Sequence, residues 1–372
     1  MKNKALFITN MPVQHQVELF DELTKFNHKI EVIYTRFLSA GRSWEINPNS
    51  FNHKSLILKE IRIKDHWYFN YELIKVISKI IKSDIIIIGQ YASFTMQIAM
   101  YVSFLLRKKL IFWSEPISGV EYEERKLISN VGLSSFFRKI ALVPVKYFCQ
   151  QLWAIGDNAV KSFEKLEPCG EIKKYYYYSD LSRFYNLYKN DTFDNINDKI
   201  IFLFAGSLSI RKGIDLVISA NEILHNNGHN NFEVLVAGSG PLEESLKNNN
   251  NGNLKFLGFV PQKGIELLYH KCDVLLFPSR YDGWGMSLVE ALASGMPVIS
   301  TTKVGAAVEL LNEKNGIMIE ELSPKHTADS MAFFIANKSL LKNYISNCIE
   351  TSKIVHVDAG VKLFNELING GK

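Results

Sequence analysis

Cysteine is scarce in this chain, and the few present form no pattern. Cys149, Cys169, Cys272 and Cys348 lie 20, 103 and 76 positions apart. With no C-x-x-C pair and no histidine at ligand spacing, neither a zinc site nor a disulfide framework is signalled. Four free thiols suit a reducing cytosol, so a cytoplasmic location is expected. The long apolar core of a secretory leader is also missing. "MKNKALFITNMPVQ" carries early lysines, but its apolar run stops at Asn10 and Pro12. Basic residues are scattered rather than clustered with aromatics, which argues against nucleic acid as a partner.

Only one stretch mimics a membrane span: residues 85–106 carry no charge over 22 positions. It divides internally. "DIIIIG" is a β-branched run, Gly89 and Gln90 interrupt it, and "YASFTMQIAMYVSFLL" follows at helix length. A buried strand and its covering helix are expected instead, given the interior Gln90, Ser93, Thr95 and Gln97.

What is present is the composition of a soluble, well-packed enzyme, 47% hydrophobic and 22% charged. At 372 residues the chain suits two domains or one large one. Charge is uneven: residues 1–190 hold 27 Lys and Arg against 18 Asp and Glu, and residues 191–372 hold 16 against 20. The basic half suits an anionic substrate or lipid headgroups; a solvated surface with a chance bias is the competing reading. "FFRKIALVPVKYF" (136–148) mixes apolar and basic residues in a way that suits peripheral membrane contact, or ordinary domain packing.

Apolar runs alternate with helix-length segments throughout. "KALFIT", "KIEVIYT", "DIIIIG", "KLIFWSE" and "QLWAIG" read as strands in the first half, with helices near 15–27, 71–82, 91–107 and 136–149. "KIIFLFAGS", "FEVLVAGSG", "NLKFLGFV", "DVLLFPS" and "MPVIST" read as strands in the second. Repeated strand–helix–strand order predicts α/β architecture: two Rossmann-like, doubly wound domains facing a cleft. The boundary is expected in the polar stretch 186–198, giving domains 1–190 and 191–351 and a terminal segment 352–372.

Chemistry is expected in the loops after the strands. "DVLLFPSRYDGWGMSLVEALASGMPVIS" reads as strand, glycine-rich loop and a helix of about three turns that stops at Gly295. The amides of Gly285, Met286 and Ser287 then lie at a helix N-terminus, which attracts phosphate. Asp282 precedes that end and Glu290 lies one turn inside. An acid beside a phosphate is repelled by it, so accepting hydrogen bonds from sugar hydroxyls is the better task. Together these features suggest a nucleotide-sugar. The competing reading makes Asp282 a cap and Glu290 a solvated residue.

"FLFAGSLSIRKG" places Arg211 and Lys212 after another strand, where cations offset charge on a departing diphosphate. "VLVAGSGP" offers Gly238 and Gly240 but lacks the third glycine of a dinucleotide fingerprint. In the first half His15, Gln16 and Glu115 follow strands and are candidate acceptor contacts. A structural hydrogen bond is the competing reading for each.

These stretches, in this order, resemble the retaining glycosyltransferases of the GT-B fold, in the family-4 (glycosyl transferases group 1) set that includes many lipopolysaccharide, capsule and mannosyl transferases. The resemblance runs from "IFLFAGSLSIRKGIDLVISA" through "VLVAGSGP", "LKFLGFVP" and "CDVLLFPSRYDGWGMSLVEALASGMPVIS" to "VGAAVELLNEKNGIMI". The first half matches loosely, at its start and at "FWSEP". By resemblance, Asp282 and Glu290 occupy the family's E-x7-E pair, with Asp282 on the transferred sugar and Glu290 on the ribose. Lys212 matches the phosphate-binding lysine. Gly206, Ser207, Gly238, Gly283, Gly285, Met286 and Ser287 fall in the donor-binding turns.

Two departures stand out. Asp replaces the first Glu, and Ser207 stands where the family often has an arginine, a role Arg211 is placed to share. The resemblance implies a UDP- or GDP-sugar donor, no cofactor, no metal, a glycan or lipid-linked glycan acceptor in cell-surface polysaccharide synthesis, and a last helix, 352–369, crossing back to the first domain. Two other functions fit the same fold: a nucleotide-sugar epimerase, and a non-catalytic, membrane-associated partner subunit.

Overall fold

Short β-branched runs, each followed by an amphipathic helix, dictate the architecture of the computed structural model, which describes residues 4–26, 28–37, 47–64, 67–91, 93–117, 131–185, 199–247 and 253–369. The expected boundary stretch 186–198 lies outside these residues. The chain divides into two units, Met1–Asp180 with Val357–Lys372, and Leu181–His356.

In the first unit, β1 (Lys4–Thr9), β2 (Lys29–Tyr34), β3 (Lys54–Ile57), β6 (Ile85–Ile88), β7 (Lys109–Ser114), β8 (Gln151–Ala154) and β9 (Glu171–Lys174) form one sheet in the order β3-β2-β1-β6-β7-β8-β9. Every pairing in it is parallel. A small antiparallel pair, β4 (Glu60–Lys64) and β5 (Trp67–Asn70), stands apart from it.

Alternation along the strands sends side chains to two faces. Leu6, Ile8, Ile86, Ile88, Leu110 and Phe112 face helices Leu73–Ile81, Phe94–Leu105 and Val131–Tyr147. Phe7 and Trp113 point the other way, where Phe7 meets Phe20 of helix Gln14–Lys25 at 4.6 Å and Phe364 of helix Val357–Asn369 at 6.0 Å. The uncharged run 85–106 is thus a buried strand and a covering helix. Among the described residues no helix is long and apolar enough to cross a membrane.

The second unit repeats the plan. Here β10 (Ile200–Ala205), β11 (Phe232–Ala237), β12 (Leu254–Gly258), β13 (Val274–Phe277), β14 (Val298–Thr301) and β15 (Gly316–Ile319) run parallel in the order β12-β11-β10-β13-β14-β15. Phe202, Phe204, Val234, Val236, Val274 and Leu276 build its core against helices Ile214–Asn226 and Pro324–Ala336. Both sheets therefore have the strand order of Rossmann-like, doubly wound folds.

Two sequence expectations need correction. The helix after the glycine loop spans Met286–Ala293, about two turns rather than three, because Ser294 already serves as its C-cap and Gly295 turns the chain at φ +72°. The segment 352–369 is not one helix. Helix Leu341–Ser352 ends in a 3-10 turn, Lys353–Val355, and His356 is extended before helix Val357–Asn369 begins. The Val357 amide is taken by the Ser179 carbonyl at 3.0 Å, which fixes the restart within the first unit.

Candidate functional site

In the second sheet β10 lies between β11 and β13, so the connections leaving β10 and β13 diverge to opposite sides. Ligands of doubly wound folds bind in the crevice at that point. The loop after β10 carries Gly206, Ser207, Arg211 and Lys212, and the loop after β13 carries Asp282, Gly283 and Gly285. The structure brings these two loops together.

Lys212 Nζ forms an ion pair with Asp282 Oδ2, and both side chains are only 15% exposed. The same ammonium lies 4.9 Å from the centre of the Phe277 ring, a cation–π contact from the end of β13. Asp282 is fixed on every side. Its Oδ1 accepts from the Trp284 amide at 3.3 Å, its amide donates to the Lys303 carbonyl at 3.1 Å, and its carbonyl accepts from the Gly305 amide at 3.1 Å.

Neighbouring bonds stitch the loops to each other. Arg211 donates to the Tyr281 carbonyl at 2.8 Å, and the Arg280 amide donates to the Arg211 carbonyl at 2.9 Å. The Arg280 guanidinium grips Asp215 with two bonds, at 2.8 and 2.6 Å. Such a bidentate pair fixes orientation as well as distance.

Two glycines let the backbones approach. Gly213, at φ +76°, follows Lys212, and a Cβ there would lie 2.1 Å from the Pro278 carbonyl oxygen. Gly238, at φ +145°, opens the connection that follows β11, and its Cβ would lie 1.9 Å from the Gly206 carbonyl oxygen. An l-side chain at either position is excluded by both torsion and space.

Glu290 sits one turn into helix Met286–Ala293, whose first turn begins with Met286 and Ser287. Its Oε2 accepts from the Tyr269 hydroxyl at 3.0 Å, and the same hydroxyl lies 3.3 Å from the Ser287 carbonyl. Burial, reinforced by the Glu290 charge, pushes the Tyr269 phenol well above its ordinary range, so it stays a donor. Phe184 packs edge-on against the Tyr269 ring at 5.7 Å. Neither Tyr269 nor Arg280 was singled out in the sequence. Tyr269 belongs to helix Ile265–Lys271, 21 positions from its partner, and carries no motif.

The first-half candidates lie at the carboxyl edge of the first sheet. The half-buried His15 packs on Tyr177 with ring centres 4.6 Å apart. Gln16 is buried and accepts from the Thr9 hydroxyl at 3.3 Å, the kind of structural bond weighed against an acceptor role. Glu115 is half-buried just past β7. Among the described residues, no group of three or more His, Cys, Asp or Glu is arranged to hold a metal ion.

Residues 189–351 match the family described as glycosyl transferases group 1. An uncharacterised glycosyltransferase of Methanocaldococcus jannaschii is 29% identical over 173 residues, covering 45% of this chain and 48% of that protein. The capsular polysaccharide biosynthesis glycosyltransferase CapM of Staphylococcus aureus is 28% identical over 154 residues, covering 39% of each. The chain thus spans about half the length, or less, of these relatives. Among solved structures, Anabaena HepE in complex with UDP and glucose superposes with a TM-score of 0.73 over 99% of this chain and 100% of that one, at 16% identity. At that identity the likeness shows the fold, which is GT-B.

Proposed function

We propose, from the group 1 glycosyltransferase family of residues 189–351 and the GT-B fold of the chain, that this protein is a retaining glycosyltransferase. It takes its sugar from a UDP- or GDP-sugar and passes it to a glycan or lipid-linked glycan in cell-surface polysaccharide synthesis. The acceptor class draws support from the capsular role in the name of the Staphylococcus relative. The donor class draws support from the UDP in the solved Anabaena neighbour.

The observation that carries the reading is the Lys212–Asp282 ion pair between the loops after β10 and β13. A diphosphate needs a cation, and Lys212 is the residue this reading assigns to it. An acid would repel a diphosphate, so Asp282, held by Lys212 and the Trp284 amide, is assigned to the sugar hydroxyls, from which its remaining lone pairs can accept. Arg211 and the amides of Gly285, Met286 and Ser287 add positive potential for the leaving group. Glu290, oriented by Tyr269, accepts from the ribose hydroxyls.

In the reaction, the bond from the anomeric carbon to the diphosphate oxygen breaks as the acceptor hydroxyl attacks from the same face. The acceptor proton passes to the departing diphosphate, so no protein base is required. Charge on the diphosphate is met by Lys212, Arg211 and the amides, without a metal.

The test is release of nucleoside diphosphate from a panel of UDP- and GDP-sugars in EDTA, with glycan acceptors present. The reading expects release with one donor, a product that keeps the donor's anomeric configuration by proton NMR, and a loss of about a hundredfold or more in Lys212→Met. Release that needs a divalent metal, an inverted product, or a free epimerised nucleotide-sugar without acceptor would each contradict it.

A further inference from the structure

Arg36 follows β2 at the carboxyl edge of the first sheet, and its guanidinium is held in place without a polar partner. Its amide donates to the Asn10 carbonyl at 2.9 Å, and its guanidinium carbon lies 5.2 Å from the centre of the Tyr68 ring. A planar cation stacked on an aromatic face is oriented as well as attracted. The ring is fixed in turn. The Tyr68 hydroxyl donates to Asn10 Oδ1 at 3.1 Å and lies 2.8 Å from Thr35 Oγ1. Buried Asn70 holds the same turn, donating to the Thr35 carbonyl at 2.7 Å and accepting from the Thr95 hydroxyl at 2.8 Å.

Nε of Arg36 is buried and has no hydrogen-bond partner. Among the described residues no carboxylate pairs with this half-buried arginine. Other arginines find an acceptor: Arg138 donates to the Ile117 carbonyl, Arg211 to the Tyr281 carbonyl and Arg280 to Asp215. A buried N–H without an acceptor is costly, and on a cation without a counter-charge it is more so. Stacking on Tyr68 explains the orientation of the guanidinium but not the unmet Nε.

The position suits a ligand. β1 lies between β2 and β6, and the helices after β1 and β6 pack on opposite faces of the sheet. Doubly wound folds bind their ligands where connections diverge in this way. Asn10 follows β1 at that point, and Arg36 stands one strand away.

We infer that Arg36 binds an oxyanion, a carboxylate or a phosphate, and that the molecule held at this edge of the first unit is anionic. A guanidinium offers Nε and a terminal nitrogen as a fork that matches two oxygens of either group. That this molecule is the sugar acceptor rests on the glycosyltransferase reading, and the acceptor is then an acidic or phosphate-bearing glycan. That it carries the anion rests on Arg36 alone.

Proton–nitrogen correlation NMR of the full chain tests it. The Arg36 Nε–H signal, assigned by its loss in both Arg36→Gln and Arg36→Lys, should move saturably with methyl glucuronide or with inorganic phosphate, and not with methyl glucoside. The tighter of the two anions separates a carboxylate ligand from a phosphate one. Calorimetry of that anion in the Lys212→Met background, which removes the cation assigned to the donor, should show binding at least about tenfold weaker when Arg36→Gln is added. Arg36→Lys, which keeps the charge but loses the fork, should fall between. A signal that neither anion moves, an equal shift with methyl glucoside, or equal calorimetric binding with and without Arg36→Gln would overturn the inference. Titration of UDP and GDP separates the two readings: if neither binds while the Arg36 signal still shifts, the anion site stands and the acceptor assignment falls.

Discussion

Removing the Lys212 charge strands the Asp282 carboxylate, and the structure sets what that should cost. Exposed ion pairs contribute about 0–1 kcal/mol, whereas removing one partner of a buried pair costs about 3–5 kcal/mol. With both side chains 15% exposed, the pair lies between these limits. We expect Lys212→Met to destabilise the second unit by about 2 kcal/mol, part of it the lost cation–π contact with Phe277. Asp282→Asn keeps an acceptor for the Trp284 amide and strands the lysine instead, at about 1–2 kcal/mol. The double variant leaves no unpaired charge, so the two costs should not add. A coupling of about 1–2 kcal/mol is expected. Native-state hydrogen exchange of the β13 amides, Val274–Phe277, reads the second unit by itself. The double variant should recover exchange protection yet still fail to bind a nucleoside diphosphate. Additivity within about 0.3 kcal/mol would refute the view that the two charges form a single element of the site.

Three further outcomes follow from other contacts. Tyr269→Phe keeps the buried ring but removes the donor to Glu290, so nucleoside diphosphate binding should weaken about fivefold, or ~1 kcal/mol, by calorimetry. Because the Tyr269 phenol titrates well above neutrality, that loss should be the same from pH 6 to pH 8; unchanged affinity would remove Tyr269 from the site. Gly213→Ala sets a methyl group against the Pro278 carbonyl at positive φ, and should cost about 3 kcal/mol in β13 exchange protection. Native protection in that variant would show that the turn is not as close as described.

In the first unit, burial alone would raise the Glu31 carboxyl, but hydrogen bonds from Lys4 and Lys79 outweigh it and hold the pKa below the ordinary 4.5. A depressed folded-state pKa gives stability that is complete above the unfolded value and lost as pH falls through the folded one. The advantage of native protein over Glu31→Gln, measured by β1 exchange, should therefore shrink below pH 4.5. An advantage that persists undiminished would contradict the pairing.

The parallel strands were legible because each is a short β-branched run between helix-length segments. The loops after β10 and β13 were legible because glycines, a basic pair and an acid follow the carboxyl ends of two strands. Less of the first unit showed in advance. Strand β3 has exposed and half-buried residues only, and β9, "EIKK", is polar, so neither announces itself by hydrophobicity. The β4–β5 pair, "EIRIK" and "WYFN", lies off the main sheet and is too short to stand out beside the longer strand–helix alternation. What the sequence could not display was pairing at a distance. Tyr269 reaches Glu290, Arg280 reaches Asp215, and the Ser179 carbonyl breaks the last helix at Val357. Each depends on which elements the sheet order brings together, and local patterns carry no trace of that. Helix Met286–Ala293 looked longer because "ALASG" has good helix formers up to its last two positions, and the cap at Ser294 is a matter of backbone geometry.

The central claim is a nucleotide-sugar site between the loops after β10 and β13 of the second unit. Isothermal titration of UDP and of GDP into native protein and Glu290→Ala, all in EDTA, tests it most directly. The account predicts saturable binding of one of the two by the native protein without metal, and a loss of at least about tenfold in the variant, as removal of a charged hydrogen-bonding partner requires. Binding of neither nucleotide, or equal binding by native protein and Glu290→Ala, would contradict it.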